Sequence, residues 1–267
     1  MDGGRRWREF PGRGPDSGTL DAVTLLSGLS EIDWAALSQA SGPATEVPEM
    51  LRALVDSDPV RARAALHELW GTVWHQGTVY DCTPVVVPFL VQVVQAKDVD
   101  DRTRAEVALL LASIASASSF VLGGRPTQMW PAEWRRGPDQ QVPARDLVRE
   151  CNLAVAASLE RLAPVFGAAP RATRAGLVAL AAAVAEHLPI ALREQLAALA
   201  HDNDAKLAVA AQLTGELAAG QCLTYEHLAE LAAVDGDALD DLSSDADSPL
   251  RRRAIALAQE LAISAIG

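Results

Sequence analysis

From Pro48 onward the apolar residues recur three and four positions apart instead of alternating, so the chain reads as a succession of amphipathic helices. The best-marked stretch runs from Asp58 to Tyr80. Asp58 followed by Pro59 is a helix start: the carboxylate accepts from the first free N–H groups, and Pro at the first helical position gives up an N–H that would have had no partner. Leu66, Leu69, Trp70, Val73 and Trp74 then fall on one stripe of that helix. A shorter helix over 48–55 precedes it.

The arrangement of helix, Asp-rich turn and helix returns over 90–117, where Lys97-Asp98-Val99-Asp100-Asp101-Arg102 makes the turn and Val107, Leu110, Leu111 and Ile114 make the stripe. It returns over 192–217 around His201-Asp202-Asn203-Asp204, and again where Asp247-Ser248-Pro249 leads into Leu250-Arg251-Arg252-Arg253. Two long Ala-rich helices are expected over 144–166 and 170–188, and short apolar ones over 20–29 and from Ile32. Helix pairs spaced about 40 residues apart point to stacked repeats, none able to bury its apolar face alone. The expected fold is therefore all-α, an α-solenoid of about five or six helix pairs over 19–267 as one domain.

Three stretches break the pattern. Residues 1–18, rich in Gly, Arg and Pro with only Trp7 and Phe10 as anchors, read as a flexible arm. Residues 118–142 hold Gly123-Gly124, Pro126, Pro131 and Gly137-Pro138, too broken for a long helix, and are expected to form an irregular insert whose Trp130 and Trp134 cover a groove. Residues 234–248 carry Asp235, Asp237, Asp240, Asp241, Asp245 and Asp247, but lack the full ligand spacing of a calcium loop, and read as a solvated acidic loop.

Charge narrows the class of partner. The formal net charge is -12, and lysine occurs only at Lys97 and Lys206. Nucleic-acid binding, which needs a basic face to displace counterions from phosphates, is disfavoured, and a basic partner is favoured. Cys82, Cys151 and Cys222 are odd in number and widely spaced, giving neither a disulfide framework nor a zinc knuckle. No apolar run is long enough for a membrane span, and the start of the sequence lacks the apolar core of a signal peptide, so a cytoplasmic protein is expected.

Candidate chemistry gathers on the first helix of that stretch. On a helical wheel Glu68, Thr72 and His75 lie opposite the apolar stripe, with Gly71 leaving a gap between them. Gln76, Tyr80 and Asp81 follow at once. Glu68 or Asp81 has the chemistry of a base, His75 that of an acid or base, and Tyr80 that of a donor to developing negative charge. Two readings stay open: a solvated face of an amphipathic helix whose polar residues tie a turn, or a ligand groove. His67-Glu68-x-x-Gly71 lacks the second His of a zinc-protease motif, and no P-loop or GxSxG is present. No metal and no cofactor are expected.

The run from Ile32 to Leu90, with IDWAAL, GPATEVPEMLRAL and ALHELWGTVWHQGTVYDCTPVVVPFL, resembles a group of bacterial HEAT-repeat proteins of uncharacterised role that carry an LWGxxWHQGTVY-type run before a VPFL helix. The resemblance covers about 60 residues closely and the remaining repeats loosely. It implies a solenoid whose second helices line a concave face, with Glu68, Gly71, Thr72, His75, Gln76 and Tyr80 looking into it, and it brings no agreed activity. The insert around Trp130 departs from the group. The function expected is a non-enzymatic interaction module binding a protein partner, for instance as accessory subunit of an enzyme. The alternative is a small-molecule binding protein or enzyme whose acidic groove takes a cationic or amine-containing substrate. DNA-lesion binding is a disfavoured third.

Overall fold

The structure, a computed structural model, describes residues 25–117, 146–244 and 249–266. The arm over 1–18 and the insert over 118–142, with Trp130 and Trp134, lie outside the described residues. Eleven α-helices are described: α1 (Val47–Ala53), α2 (Pro59–Thr72), α3 (Thr83–Gln95), α4 (Asp101–Ala115), α5 (Leu147–Ala168), α6 (Arg171–Ala183), α7 (Ile190–Leu199), α8 (Ala205–Ala218), α9 (Tyr225–Ala232), α10 (Gly236–Ser244) and α11 (Leu250–Ser264). Two small antiparallel hairpins, β1 (Ser38–Gln39) with β2 (Gly42–Pro43) and β3 (Trp74–His75) with β4 (Thr78–Val79), flank α1 and α2. Apart from these the described residues are all-α.

Side-chain caps start the helices at the positions the Asp residues mark. Asp58 accepts from Val60 N at 2.9 Å, Asp100 from Thr103 N at 3.0 Å, Asp146 from Arg149 N at 3.0 Å, and Asp204 from Lys206 N and Leu207 N at 3.1 and 3.2 Å. Each satisfies donors that a helix leaves unpaired at its first turn.

Consecutive helices pack as pairs: α1 with α2, α3 with α4, α5 with α6, α7 with α8. Across pairs, α3, α5 and α7 are neighbours in one layer, and α2, α4, α6 and α8 in the other. Between the layers runs one apolar core, in which Leu51, Leu69, Leu90, Leu111, Leu159 and Phe166 are among the fully buried side chains. Helix α11 lies against both α6 and α8. Two arginines sit in this core region. Arg104 Nε of α4 donates to Val94 O near the end of α3 at 2.9 Å, and Arg253 of α11 donates to Leu242 O in α10 while its guanidinium lies 4.8 Å from the Tyr225 ring centroid. In both cases an arginine early in the second helix closes a carbonyl that the preceding helix leaves open.

Three local expectations are corrected. Over 25–37 the chain forms 3-10 turns, Leu29–Glu31 and Trp34–Ala36, in place of short α-helices. Leu26 and Gly28 take positive φ of 63° and 85°, which breaks a right-handed helix at that point. Helix α6 ends at Ala183 and a 3-10 turn, Ala185–His187, follows it. The acidic stretch contains α10: Asp235 accepts from Asp237 N at 3.2 Å, and Ala238 and Leu242, four residues apart, are buried.

Candidate functional site

The polar run after α2 is first a structural device. Gln76 and Gly77 both take left-handed φ, 50° and 84°, and join β3 to β4 in a two-residue turn that pairs Trp74 with Val79 and His75 with Thr78. Turns of this hand match the twist of paired strands, and Gly at the second position costs nothing sterically. Behind the turn, the fully buried Thr83 hydroxyl donates to Val73 O at 2.6 Å and accepts from Tyr80 N at 2.8 Å. The β1–β2 hairpin docks on the same segment through Ala40 N to Thr72 O at 3.1 Å and Cys82 N to Ser38 O at 3.2 Å. Thr83→Val keeps the shape but orphans two backbone groups, so chemical denaturation should read a loss of about 1.5 kcal/mol. An unchanged midpoint would mean that water reaches both groups.

The residues singled out from the sequence divide into three sets. Leu66, Leu69 and Val73 are buried, and Trp70 and Trp74 are half-buried, with rings 5.4 Å apart and nearly perpendicular at 89°. Glu68, Gly71, His75 and Gln76 are exposed; Thr72 is half-buried and its hydroxyl returns to Glu68 O at 2.7 Å. Neither the Glu68 nor the His75 side chain pairs with any described residue. Tyr80 is half-buried, and burial first, then Cys82, pushes its hydroxyl pKa up. Asp81 accepts from Ser38 Oγ and lines a hollow of about 300 Å³ beside the β1–β2 hairpin. Burial also lifts the Cys82 thiol to about 12, so it stays protonated and unreactive near neutrality.

A cleft not anticipated from the sequence opens beside this set. Its volume is about 280 Å³, and its walls are Trp70, Trp74, Ser113, Ser116, Gln259 and Ile263, from α2, β3, α4 and α11, with Ser116 just past the end of α4. Gln259 Nε2 reaches Ala179 O at 3.4 Å and Ser116 Oγ at 3.5 Å, which positions α11 along one side. Trp74 Nε1 is shielded from solvent and has no acceptor among the described residues. Trp70 was legible as part of the apolar stripe of α2; Trp74 and His75 were expected on the same helix, but α2 ends at Thr72 and they form β3. That α11 returns to face the tryptophans, 143 residues after Ser116, was not legible.

Next to Gln259, Glu260 meets three other carboxylates. Burial, then Asp241, which also hydrogen bonds to it, and then Asp235 and Asp237 raise its pKa. Lys206 lies 2.6 Å from Asp235 and, with Ser264 donating at 2.9 Å, holds that carboxyl below its ordinary value. A carboxyl raised on folding favours the folded state only while protonated, and that contribution is lost as pH rises through its folded pKa. Glu260→Gln should therefore raise the melting temperature at neutral pH, with the gap closing as pH falls below the ordinary carboxylate range. A gap that widens in acid would contradict the arrangement.

Among the described residues no group of three or more His, Cys, Asp or Glu is placed to hold a metal ion, and no helix is long and apolar enough to cross a membrane. In comparisons with known proteins, no family model, no curated protein and no solved structure matches the chain.

Proposed function

We propose that the chain is an α-solenoid of HEAT-like helix pairs and acts as a non-enzymatic interaction module that binds a protein partner, as an accessory subunit does. The observation that carries the reading is the layering: α3, α5 and α7 neighbour one another on one side, and α2, α4, α6 and α8 on the other. Helix pairs stacked in register present a long face built from one helix of each pair, and such faces are used for binding extended partners. The arginines Arg104 and Arg253, each reaching back to the preceding helix, and the Asp caps fit a repeated unit. The LWGxxWHQGTVY-type resemblance agrees with this, and on this reading Glu68, Gly71, Thr72, His75 and Gln76 belong to the binding surface. The site residues favour recognition: Glu68 and His75 stand exposed, while Tyr80 and Asp81 belong to the connection into α3.

Native mass spectrometry of the chain purified gently from its native host tests the reading. The expected result is a stoichiometric protein partner that dissociates when Glu68 and His75 are replaced by alanine without loss of helicity. A retained small molecule with no protein partner would overturn it in favour of a small-molecule site.

A further inference from the structure

We propose that the pair of helices α9 and α10 is a pH-gated flap, closed on α8 and α11 in mildly acidic solution and open in alkaline solution. The isolated chain either opens in this way or does not, so the flap stands or falls apart from the interaction-module reading.

The first argument is packing. Helix α11 runs along both α6 and α8, whereas α9 packs chiefly on α10, and the two meet the rest of the chain mainly at α11. Among the described residues of α9 and α10, only Leu228, Ala232, Ala238 and Leu242 are buried. Elements with so little buried apolar surface open locally before the whole chain unfolds. The chain leaves α8 through Gly220, whose φ is 67°, and reaches the α9 cap at Thr224 over exposed Gln221 and Cys222 and half-buried Leu223. That link is the hinge.

The second argument is what ties the flap down. Arg253 of α11 donates to Leu242 O and lies over the Tyr225 ring, and an arginine keeps its charge throughout the neutral range. Two further ties respond to pH. His227 Nε2 of α9 lies 2.8 Å from Glu216 Oε2 of α8, whose other oxygen accepts from Gln212 at 2.9 Å. Acid adds charge to this bond, and an imidazolium holds a carboxylate more strongly than a neutral ring does. On α10, Asp241 hydrogen bonds to Glu260 of α11, with Asp237 and Asp235 beside it. Two carboxyl groups bond to each other only through a proton that one of them carries. Glu226 and Glu230 of α9 point to solvent.

The sign follows from which residues move. Burial first, then Asp241, Asp235 and Asp237 raise the Glu260 pKa, and all three aspartates belong to the flap or to its internal turn. A carboxyl with a higher pKa closed than open favours closure in full below its open-state value, and that contribution is lost as pH rises through its closed-state value. Asp235 acts the other way. Lys206 of α8 and then Ser264 of α11 hold it below its ordinary value, so its tie to the body is lost only as pH falls through that lowered value. The closed window is thus bounded below by Asp235 and above by Glu260.

Hydrogen exchange of the full chain, read by mass spectrometry and corrected for the intrinsic rate at each pH, tests the flap. Protection of α9 and α10, relative to α4 and α6, should fall about tenfold between about pH 5.5 and about pH 8.5, as a tenfold difference in proton affinity between closed and open states gives. Glu260→Gln removes the charge that opening relieves, and should restore protection at the alkaline end. His227→Gln keeps a donor to Glu216 without the charge gained in acid, and should lower protection at the acidic end. The double variant should lose most of the pH dependence.

Protection of α9 and α10 that follows α8 and α11 at every pH would overturn the flap, since opening would then be global. A local opening whose extent ignores pH would overturn the gating. Variants that shift protection equally at both ends would show that Glu260 and His227 serve structure alone, and would overturn it too.

Discussion

Gly176→Ala is expected to destabilise the protein by about 2 kcal/mol, although the same change in an open helix stabilises. Helix α6 approaches α4 at this glycine: a Cβ would stand 2.6 Å from Ala105 O, 3.1 Å from Ala105 Cα and 3.1 Å from Ala108 Cβ. The nearest obstacle is backbone, which cannot rotate away as a side-chain tip does. Overpacking of this type costs about 1 to 3 kcal/mol, with the upper end apt for a backbone contact, and the intrinsic helix preference of Ala over Gly returns about 1 kcal/mol. Gly215 in α8 supplies the control, since nothing stands within 4 Å of its Cβ position. Gly215→Ala should stabilise by up to about 1 kcal/mol. Urea unfolding of the two variants should thus move in opposite directions; parallel shifts would mean that α4 and α6 do not meet as closely as described.

That contrast marks where sequence reading succeeds and where it stops. Both glycines lie in Ala-rich helices and look alike in the sequence, because periodicity reports which face of a helix is apolar and says nothing of how near the next helix comes. Helix starts were legible for a local reason. Asp58, Asp100 and Asp204 bond to N–H groups two or three residues on, so their signature lies within one turn of chain. The stripe of α2 was legible on the same ground, and Leu66 and Leu69 are buried as its spacing requires.

What depends on distant partners was not legible. The β3–β4 turn at Gln76 and Gly77 is held by Thr83 and by the β1–β2 hairpin some 35 to 40 residues earlier, so the polar run there looked like chemistry before it looked like structure. Asp81 was a candidate base, and its bond to Ser38 spans 43 residues. The helix α10 was concealed by composition: six aspartates between 235 and 247 outweigh the buried Ala238 and Leu242 in any reading of hydropathy. The cleft needed α11 to return to Ser116, a separation that no periodicity encodes.

Asp101→Ala is expected to cost about 3 kcal/mol, the largest single loss foreseen. Asp101 stands in the first turn of α4, yet its carboxylate serves another helix: it accepts from Ala172 N at 3.2 Å, from Thr173 N at 2.9 Å and from the Thr173 hydroxyl, at the start of α6. Thr173 is fully buried, so its N–H finds no water when the carboxylate is removed, and its hydroxyl keeps only the backbone O of residue 101, at 3.2 Å. A bond to a charged acceptor contributes about 1.5 to 3 kcal/mol, and losing a helix cap costs about 0.5 to 2 kcal/mol; the terms overlap, since the same N–H groups enter both. The effect reaches further than one cap because the bond joins residues 72 positions apart and fastens the second helix pair to the third. The two helices it fastens are the ones that meet at Gly176. A double-mutant cycle separates the cap from the hydroxyl: the bond between the Thr173 hydroxyl and the Asp101 carboxylate is lost in Asp101→Ala and in Thr173→Val alike, so the double variant should be about 1 kcal/mol more stable than the sum of the two losses implies. Strict additivity would show that the hydroxyl does not depend on Asp101, and a loss below about 1 kcal/mol for Asp101→Ala alone would show that the start of α6 finds its partners elsewhere.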